Sequence, residues 1–392
     1  MENLWNNNIA KNLKTDLEFR VYTSNLLGQS KKLVLHGGGN TSVKSKVDDK
    51  DILYVKGSGW DLVNIEKEGF SPVELNFLLD MVKVDSLSDK EMVDGQREAL
   101  LDKNAPNPSV EAILHAIIPF KYVDHTHSDA IVTISNSCDG EKYISELYQD
   151  FLILPYIMPG FILAKEIYNL TKNNFDWDSC KGIILHNHGI FTFDNDARNS
   201  YDKMIESVTV AENFLEQNTK IEITPFIVSQ GYDVYKLKDI ISRSKGYEIE
   251  INVQRYDIAL IYSKMENLKE KASRGVLTPE HIIRTKRVPL ILEDENIEDA
   301  LKSYIKEYKQ YFKMFAKDEI MLDPNPNYAV IKDFGIVTFG KAQKEADIIS
   351  DIVEHTIEAV LRADQIGGYK SIGLKDSFDM EYWELEQIKL KK

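Results

Sequence analysis

The sequence predicts an α/β protein built from two related units. Short apolar runs ending in glycine-rich loops alternate with amphipathic segments of helical spacing, the pattern of a sheet covered by helices. One stretch is repeated: Ile-Ile-Leu-His-Asn-His-Gly-Ile-Phe-Thr-Phe at 183–193 and Ala-Val-Ile-Lys-Asp-Phe-Gly-Ile-Val-Thr-Phe at 329–339, each followed by an acidic amphipathic helix. The length, 392 residues, allows two to three domains at about 100–200 residues each.

The first element is a helix, because Leu13, Leu17, Val21, Leu26 and Leu27 recur at helical spacing before Gly28. A strand over 32–36 runs into Gly37-Gly38-Gly39-Asn40-Thr41-Ser42, and a strand over 52–55 meets Gly57-Ser58-Gly59. Residues 72–82 read as a helix, with Pro72 in its first turn after Ser71. Residues 86–105 are polar and expected at the surface. A helix starting around Asn107-Pro108-Ser109 carries Glu111 and His115. A strand over 122–134 holds His125 and His127, a helix follows over 160–171, and a strand over 183–193 holds His186 and His188. The helix over about 196–216 places Val208, Ala211 and Leu215 on one face.

The pattern loosens at 217–230, which divides a first domain, 1–220, from a second, 221–392. In the second, helices are expected over 258–272 and 296–316, with a proline-containing segment at 278–292 between them. Asp323-Pro324-Asn325-Pro326-Asn327 is a turn cluster. A strand over 328–339, a long helix over 342–364 and a charged surface helix over 381–392 complete the chain. Within the repeat His188 becomes Phe334 and His186 becomes Lys332, so the second unit reads as a histidine-stripped copy. Two unrelated apolar strands are the alternative.

Composition narrows the function class. Forty-eight basic against 63 acidic residues leave a net charge of −15, with no Lys/Arg-rich run to offset it. That disfavours a nucleic-acid or anionic-membrane partner. Cys138 and Cys180 cannot make a disulfide framework, which fits a reducing cytoplasm. The N-terminus lacks a basic region followed by an apolar one, and no run reaches the roughly 18 apolar residues of a membrane span.

Three features point to chemistry. His125-Thr126-His127 places two imidazoles on one face of a strand, where both can reach one ion; alone it is also an ordinary polar pair. His188-Gly189 can add a third imidazole, and three protein ligands are what a catalytic zinc site uses. His186 competes for that place, but the glycine after His188 allows close approach of a neighbouring group. Glu111 at a helix start can cap the helix, or can act as ligand or general base beside a metal. Backbone N–H groups at Gly37-Gly38-Gly39-Asn40 and Gly57-Ser58-Gly59 can form an anion nest, with Asn40, Ser42 and Ser58 as further donors; each loop can also be a plain turn. Neither matches a dinucleotide or Walker A fingerprint.

Taken in order, Gly39-Asn40-Thr41-Ser42, Gly57-Ser58-Gly59, Pro108-Ser109-Val110-Glu111, His125-Thr126-His127 and His188-Gly189 resemble the class II aldolase/adducin family over about residues 20–216. The segments 278–287, 335–341 and 378–383 are similar to the aldolase part of bifunctional rhamnulose-phosphate aldolase/short-chain dehydrogenase proteins. In those proteins a dehydrogenase domain follows. These residues contain no such fingerprint, so a separate short-chain dehydrogenase is an expected partner.

The resemblance implies an α/β/α layered fold around a mainly antiparallel sheet, with a degenerate copy at the C-terminus. It implies a lyase: zinc-dependent cleavage of a rhamnulose- or fuculose-1-phosphate-like ketose 1-phosphate to dihydroxyacetone phosphate and an aldehyde. By the same resemblance His125, His127 and His188 hold one Zn2+ per chain. Asn40, Ser42, Ser58, Gly59 and Ser109 surround the substrate phosphate, and Glu111 moves protons at the reacting carbon. Relatives complete the site with a tyrosine from a neighbouring subunit, which implies a homo-oligomer. Tyr143, Tyr148 and Tyr156 lie in a suitable region, and no motif selects among them. Val110 stands where the family often has a second serine, which removes a phosphate donor and leaves the sugar open. Other branches are sugar-phosphate 4-epimerases and a dehydratase on the same metal site, and a non-catalytic adducin branch without the metal histidines.

Overall fold

The computed structural model describes residues 1–223, 231–293 and 296–385. The chain divides into two compact units, one of Met1–Val132 with Glu141–Phe214, the other of Thr133–Gly140 with Leu215–Lys392. Among the described residues no helix is long and apolar enough to cross a membrane.

In the first unit β1 (Asn40–Val47), β2 (Lys50–Lys56), β3 (Phe70–Glu74), β4 (Tyr122–Thr126), β5 (Phe151–Leu154), β6 (Gly182–Leu185) and β7 (Gly189–Asp194) form one sheet. Its order is β3-β2-β1-β4-β7-β6-β5. All neighbours are antiparallel except β5 with β6. The period of two along each strand assigns the faces. Val55, Val73, Val123 and Phe191 pack under the helices Leu75–Met81, Ala112–Ile117 and Phe161–Thr171. On the opposite face Val43 and Tyr122 meet the helices Asp16–Gly28 and Ala197–Asn218 through Leu17, Phe19 and Ala197. This is the α/β/α layering expected.

A buried ion pair ties that second face together. Arg20, on the helix Asp16–Gly28, pairs with Asp124 of β4, and both side chains are fully buried. The guanidinium also donates to Thr23 Oγ1 at 2.6 Å and to the carbonyls of Ser42 and Val123, each at 3.3 Å. Ser200 donates to the other Asp124 oxygen. Removing one partner strands a buried charge, so Arg20→Leu is expected to lower stability by about 3–5 kcal/mol. Urea unfolding measures it; a loss below about 1 kcal/mol, as for a surface pair, would show that Asp124 is not left uncompensated.

The second unit contains β8 (Glu250–Gln254), β9 (Leu290–Leu292), β10 (Tyr328–Ile331) and β11 (Gly335–Gly340), in the order β8-β11-β10-β9. Here β9 and β10 are parallel and the other pairs antiparallel. That reproduces β4-β7-β6-β5 strand for strand. The turns match as well: Asn187 and Asp333 take left-handed φ values of 60° and 57°. Thr192 and Thr338 each donate through Oγ1 to the carbonyl eight residues on, of Ser200 and Ala346. Register pairs His125 with Phe191 and Val253 with Val337. The positions of His125, His127 and His188 are therefore taken by Val253, Arg255 and Phe334. The Arg255 guanidinium lies 4.4 Å from the Phe334 ring centre, a cation–π pair in place of the imidazoles. The copy is degenerate in its side chains while its strand order and turns are preserved.

Several expected elements change. Residues 32–36 form a turn, and the strand starts at Asn40. The strand over 122–134 ends at Thr126 and is followed by the helix Asp129–Ser135. Residues 183–193 and 328–339 are hairpins, not single strands, since a buried turn leaves an apolar run unbroken in sequence. Residues 72–82 split into the end of β3 and the helix Leu75–Met81. The polar stretch at 86–105 contains the helix Asp89–Glu98, started by a Ser88–Glu91 capping box. The helix over 258–272 is two, Asp257–Ser263 and Leu268–Ala272. Near the end of the chain the helix is Leu374–Glu381; residues 386–392, and 224–230 of the linker region, lie outside the described residues.

Candidate active site

β4 and the β6–β7 turn bring three imidazoles together. His125 is in β4, His127 lies one residue beyond its end, and His188 is the last residue of the turn before β7. One nitrogen from each lies within 4.8 Å of the others; His188, not His186, belongs to this group. The Nε2 atoms of His125 and His127 are 3.0 Å apart. His125 Nδ1 stands 3.0 Å from the Ile190 carbonyl, which only accepts. Nδ1 therefore carries the proton, and the Nε2 lone pair faces the cluster. The His125 ring is stacked on Phe191 at 4.0 Å.

Gly189 makes this convergence possible. A Cβ there would overlap the Thr126 carbonyl oxygen and press on His125 Cε1 at 3.1 Å and His127 Cδ2 at 3.2 Å. Gly189→Ala is therefore expected to weaken divalent-metal binding about 10–100-fold, the effect of disturbing groups that orient ligands. Competition with a chelator reads this. Wild-type affinity would mean that β7 shifts without moving the rings.

Glu111 occupies the N-cap of the helix Ala112–Ile117, yet its side chain makes no cap hydrogen bond. The carboxylate turns to the histidines instead. Oε2 lies 3.4 Å from His125 Nε2 and Oε1 3.8 Å from His188 Nε2. Asn40 Nδ2 donates to Oε2 at 2.7 Å, whereas Oε1 is buried with no hydrogen-bond partner. A buried carboxylate oxygen left in that state fits a cation or a proton arriving there. Three imidazoles beside such a carboxylate suit a zinc-like divalent ion.

Behind Glu111 the structure shows a residue that sequence reasoning placed on the helix but not in the site. His115 bonds Asn40 Oδ1 through Nε2 and Ser42 Oγ through Nδ1, the latter at 2.8 Å. Burial, and then the nearby cations Lys44 and Arg20, hold its pKa well below the usual imidazole value. The signal available was its spacing of four residues from Glu111, one helical turn. Lys44 Nζ donates to the carbonyls of His115 (3.0 Å), Ile118 and Phe120 (2.8 Å) at the far end of this helix. Burial pulls that amine down to about 7. Lys56, also buried, donates to the Gly37 carbonyl at 3.1 Å. Burial lowers its pKa to about 8, with Asp61 and Glu111 opposing the shift.

The loops at 56–59 and 107–109 are bridged through their backbones, Ser58 N–H to Asn107 O at 2.8 Å and Ser109 N–H to Lys56 O at 3.0 Å. Ser58 and Gly59 are exposed, and Ser109 Oγ accepts from the Glu111 N–H at 3.3 Å. Asn40 and Ser42 point from β1 toward the helix Ala112–Ile117, with their side chains engaged as described. Among the tyrosines, Tyr148 is buried and donates to the Ser207 carbonyl at 2.8 Å; burial raises its pKa. Tyr143 packs on Phe214 with ring centres 5.0 Å apart.

Residues 20–215 match the family described as Class II Aldolase and Adducin N-terminal domain, and residues 233–390 match Aldolase class II, second domain. The chain belongs to the class II aldolase/adducin family. A solved structure, the N-terminal class II aldolase domain of a conserved protein from Thermoplasma acidophilum, is 39% identical, with a TM-score of 0.50. The match covers 55% of this chain and 99% of that one. The Bacillus subtilis protein called uncharacterized oxidoreductase YuxG is 28% identical over 420 residues, taking in all of this aldolase-family chain and 60% of its own length. This class II aldolase-family chain thus spans less than two thirds of that relative. Its three-histidine group is of a kind able to bind a divalent metal.

Proposed function

We propose that the chain is a zinc-dependent lyase that cleaves a ketose 1-phosphate of the rhamnulose or fuculose type to dihydroxyacetone phosphate and an aldehyde. The observation that carries this reading is the convergence of His125, His127 and His188 on a buried Glu111 whose Oε1 has no hydrogen-bond partner. In this reading the three histidines hold one zinc per chain. Bound zinc supplies Lewis-acid stabilisation of the negative charge that develops when the carbon–carbon bond breaks. Glu111 returns a proton to the carbon left electron-rich by cleavage, and takes it in the reverse direction. Ser58, Gly59 and Ser109 receive the phosphate with backbone and hydroxyl donors. Asn40 and Ser42 belong to the same proposed set, but their side chains are engaged with His115 and Glu111, so the two bridged loops carry most of the phosphate reading.

The same proposal includes an aldolase unit at 1–220 and a degenerate copy at 221–392, a cytoplasmic setting, and a homo-oligomer in which a neighbour's tyrosine completes the site. It also includes a separate short-chain dehydrogenase as partner; the oxidoreductase name of the longer B. subtilis relative supports that part.

Elemental analysis of the purified protein, followed by incubation with rhamnulose 1-phosphate and fuculose 1-phosphate, tests the core of it. About one zinc per chain, as for a single catalytic site, and release of dihydroxyacetone phosphate are expected. Absence of a stoichiometric divalent metal would end the proposal. Metal together with an epimerised sugar phosphate, and no dihydroxyacetone phosphate, would replace cleavage by epimerisation.

A further inference from the structure

We infer that His115 is a positioning residue: through Asn40 it holds one oxygen of the Glu111 carboxylate and leaves Oε1 as the atom that exchanges protons. What those protons do rests on the proposed aldolase reading; the hydrogen-bond arrangement stands apart from it.

The direction of each bond follows from donor chemistry. A carboxylate only accepts, so at 2.7 Å from Glu111 Oε2 the Asn40 group must be its NH2. That turns Asn40 Oδ1, an acceptor, toward His115, whose Nε2 must then carry a hydrogen. In a neutral ring Nδ1 is the acceptor, and the Ser42 hydroxyl 2.8 Å away donates to it. Every donor points from Ser42 toward Glu111. Ser42 and His115 are fully buried and Asn40 nearly so, which leaves no surface from which water could replace a missing link.

The chain of bonds makes the two Glu111 oxygens unequal. Oε2 accepts from Asn40 and lies against His125, while Oε1 faces His188 without a hydrogen-bond partner. Without His115 the Asn40 amide is no longer held in one orientation. Turned over, it would set Oδ1 against a carboxylate oxygen, repelling the group it now steadies.

The test uses the full-length, metal-loaded protein. Histidine-selective 15N labelling, with His115→Gln to assign the signal, is expected to show His115 as the neutral Nε2–H tautomer. A Nδ1–H tautomer or a doubly protonated ring would overturn the inference. In kinetics His115→Leu is expected to keep its zinc and its KM while kcat falls up to about 100-fold, the scale of a misplaced reacting group. His115→Gln, whose amide can donate to Asn40 and accept from Ser42, should recover most of kcat. Wild-type kcat in His115→Leu, or no recovery in His115→Gln, would also overturn it. Should the wild-type chain cleave no ketose 1-phosphate, the aldolase reading fails and the tautomer alone decides the arrangement.

Discussion

On the proposed aldolase reading, His127→Ala is expected to give a folded chain that holds no stoichiometric zinc and cleaves no ketose 1-phosphate. His127 lies one residue past the end of β4 and is half-buried, so its loss opens no cavity in the sheet core. Its ring does pack against both other imidazoles, with ring centres 4.8 Å from His125 and 5.0 Å from His188. Its removal takes one of the three imidazoles from the proposed ligand set and leaves His125 and His188 with an open position where the third ligand stood. Elemental analysis and circular dichroism separate loss of metal from loss of fold. Unchanged zinc content would remove His127 from the ligand set and with it the assigned centre.

On the same reading, Glu111→Gln is expected to keep its zinc and to lose about 10²–10⁴ in kcat, the range of a positioned acid–base group. The substitution is nearly isosteric, and a glutamine oxygen can still accept from Asn40 Nδ2 as Oε2 does now. The nitrogen then replaces Oε1, and an amide nitrogen takes up no proton at neutral pH. Because Oε1 is buried with no hydrogen-bond partner, removing the carboxylate is expected to leave the metal-free protein at least as stable as the wild type. Steady-state kinetics and thermal unfolding of the metal-free chain check both parts. Full activity would mean that Glu111 does not move the proton.

The overall charge of −15 bears on the same proposal. A phosphate substrate would approach against that field, so capture has to come from local groups. In the proposed reading the bridged loops at 58–59 and 109 supply donors, and they flank Lys56, whose pKa burial lowers to about 8, so that its amine still carries positive charge at neutral pH.

Much of this was legible in the chain, because it depends on neighbours in sequence. An alternating strand puts residues two apart on one face, which is why His125 and His127 could be paired before any fold was known. The repeat was legible too, because Asn187 and Asp333 serve the same turn and Gly189 and Gly335 follow it. Periodicity failed where a tight turn is itself buried. Residues 183–193 looked like one strand because neither His186 nor His188 breaks the apolar run, yet the chain reverses there.

By itself the sequence determined the residue types of the site, their order along the chain and the presence of a stripped second copy. Only the tertiary structure decided between His188 and His186, turned Glu111 from helix cap to site carboxylate, and brought His115 behind it. The physical reason is the range of the forces. Strand alternation and turn conformation are set by adjacent residues. The tilt of a carboxylate, the tautomer of an imidazole and the distance between rings on separate strands are set by whatever lies opposite. For this site those neighbours are Ile190, Phe191 and Asn40, which come from β7 and β1.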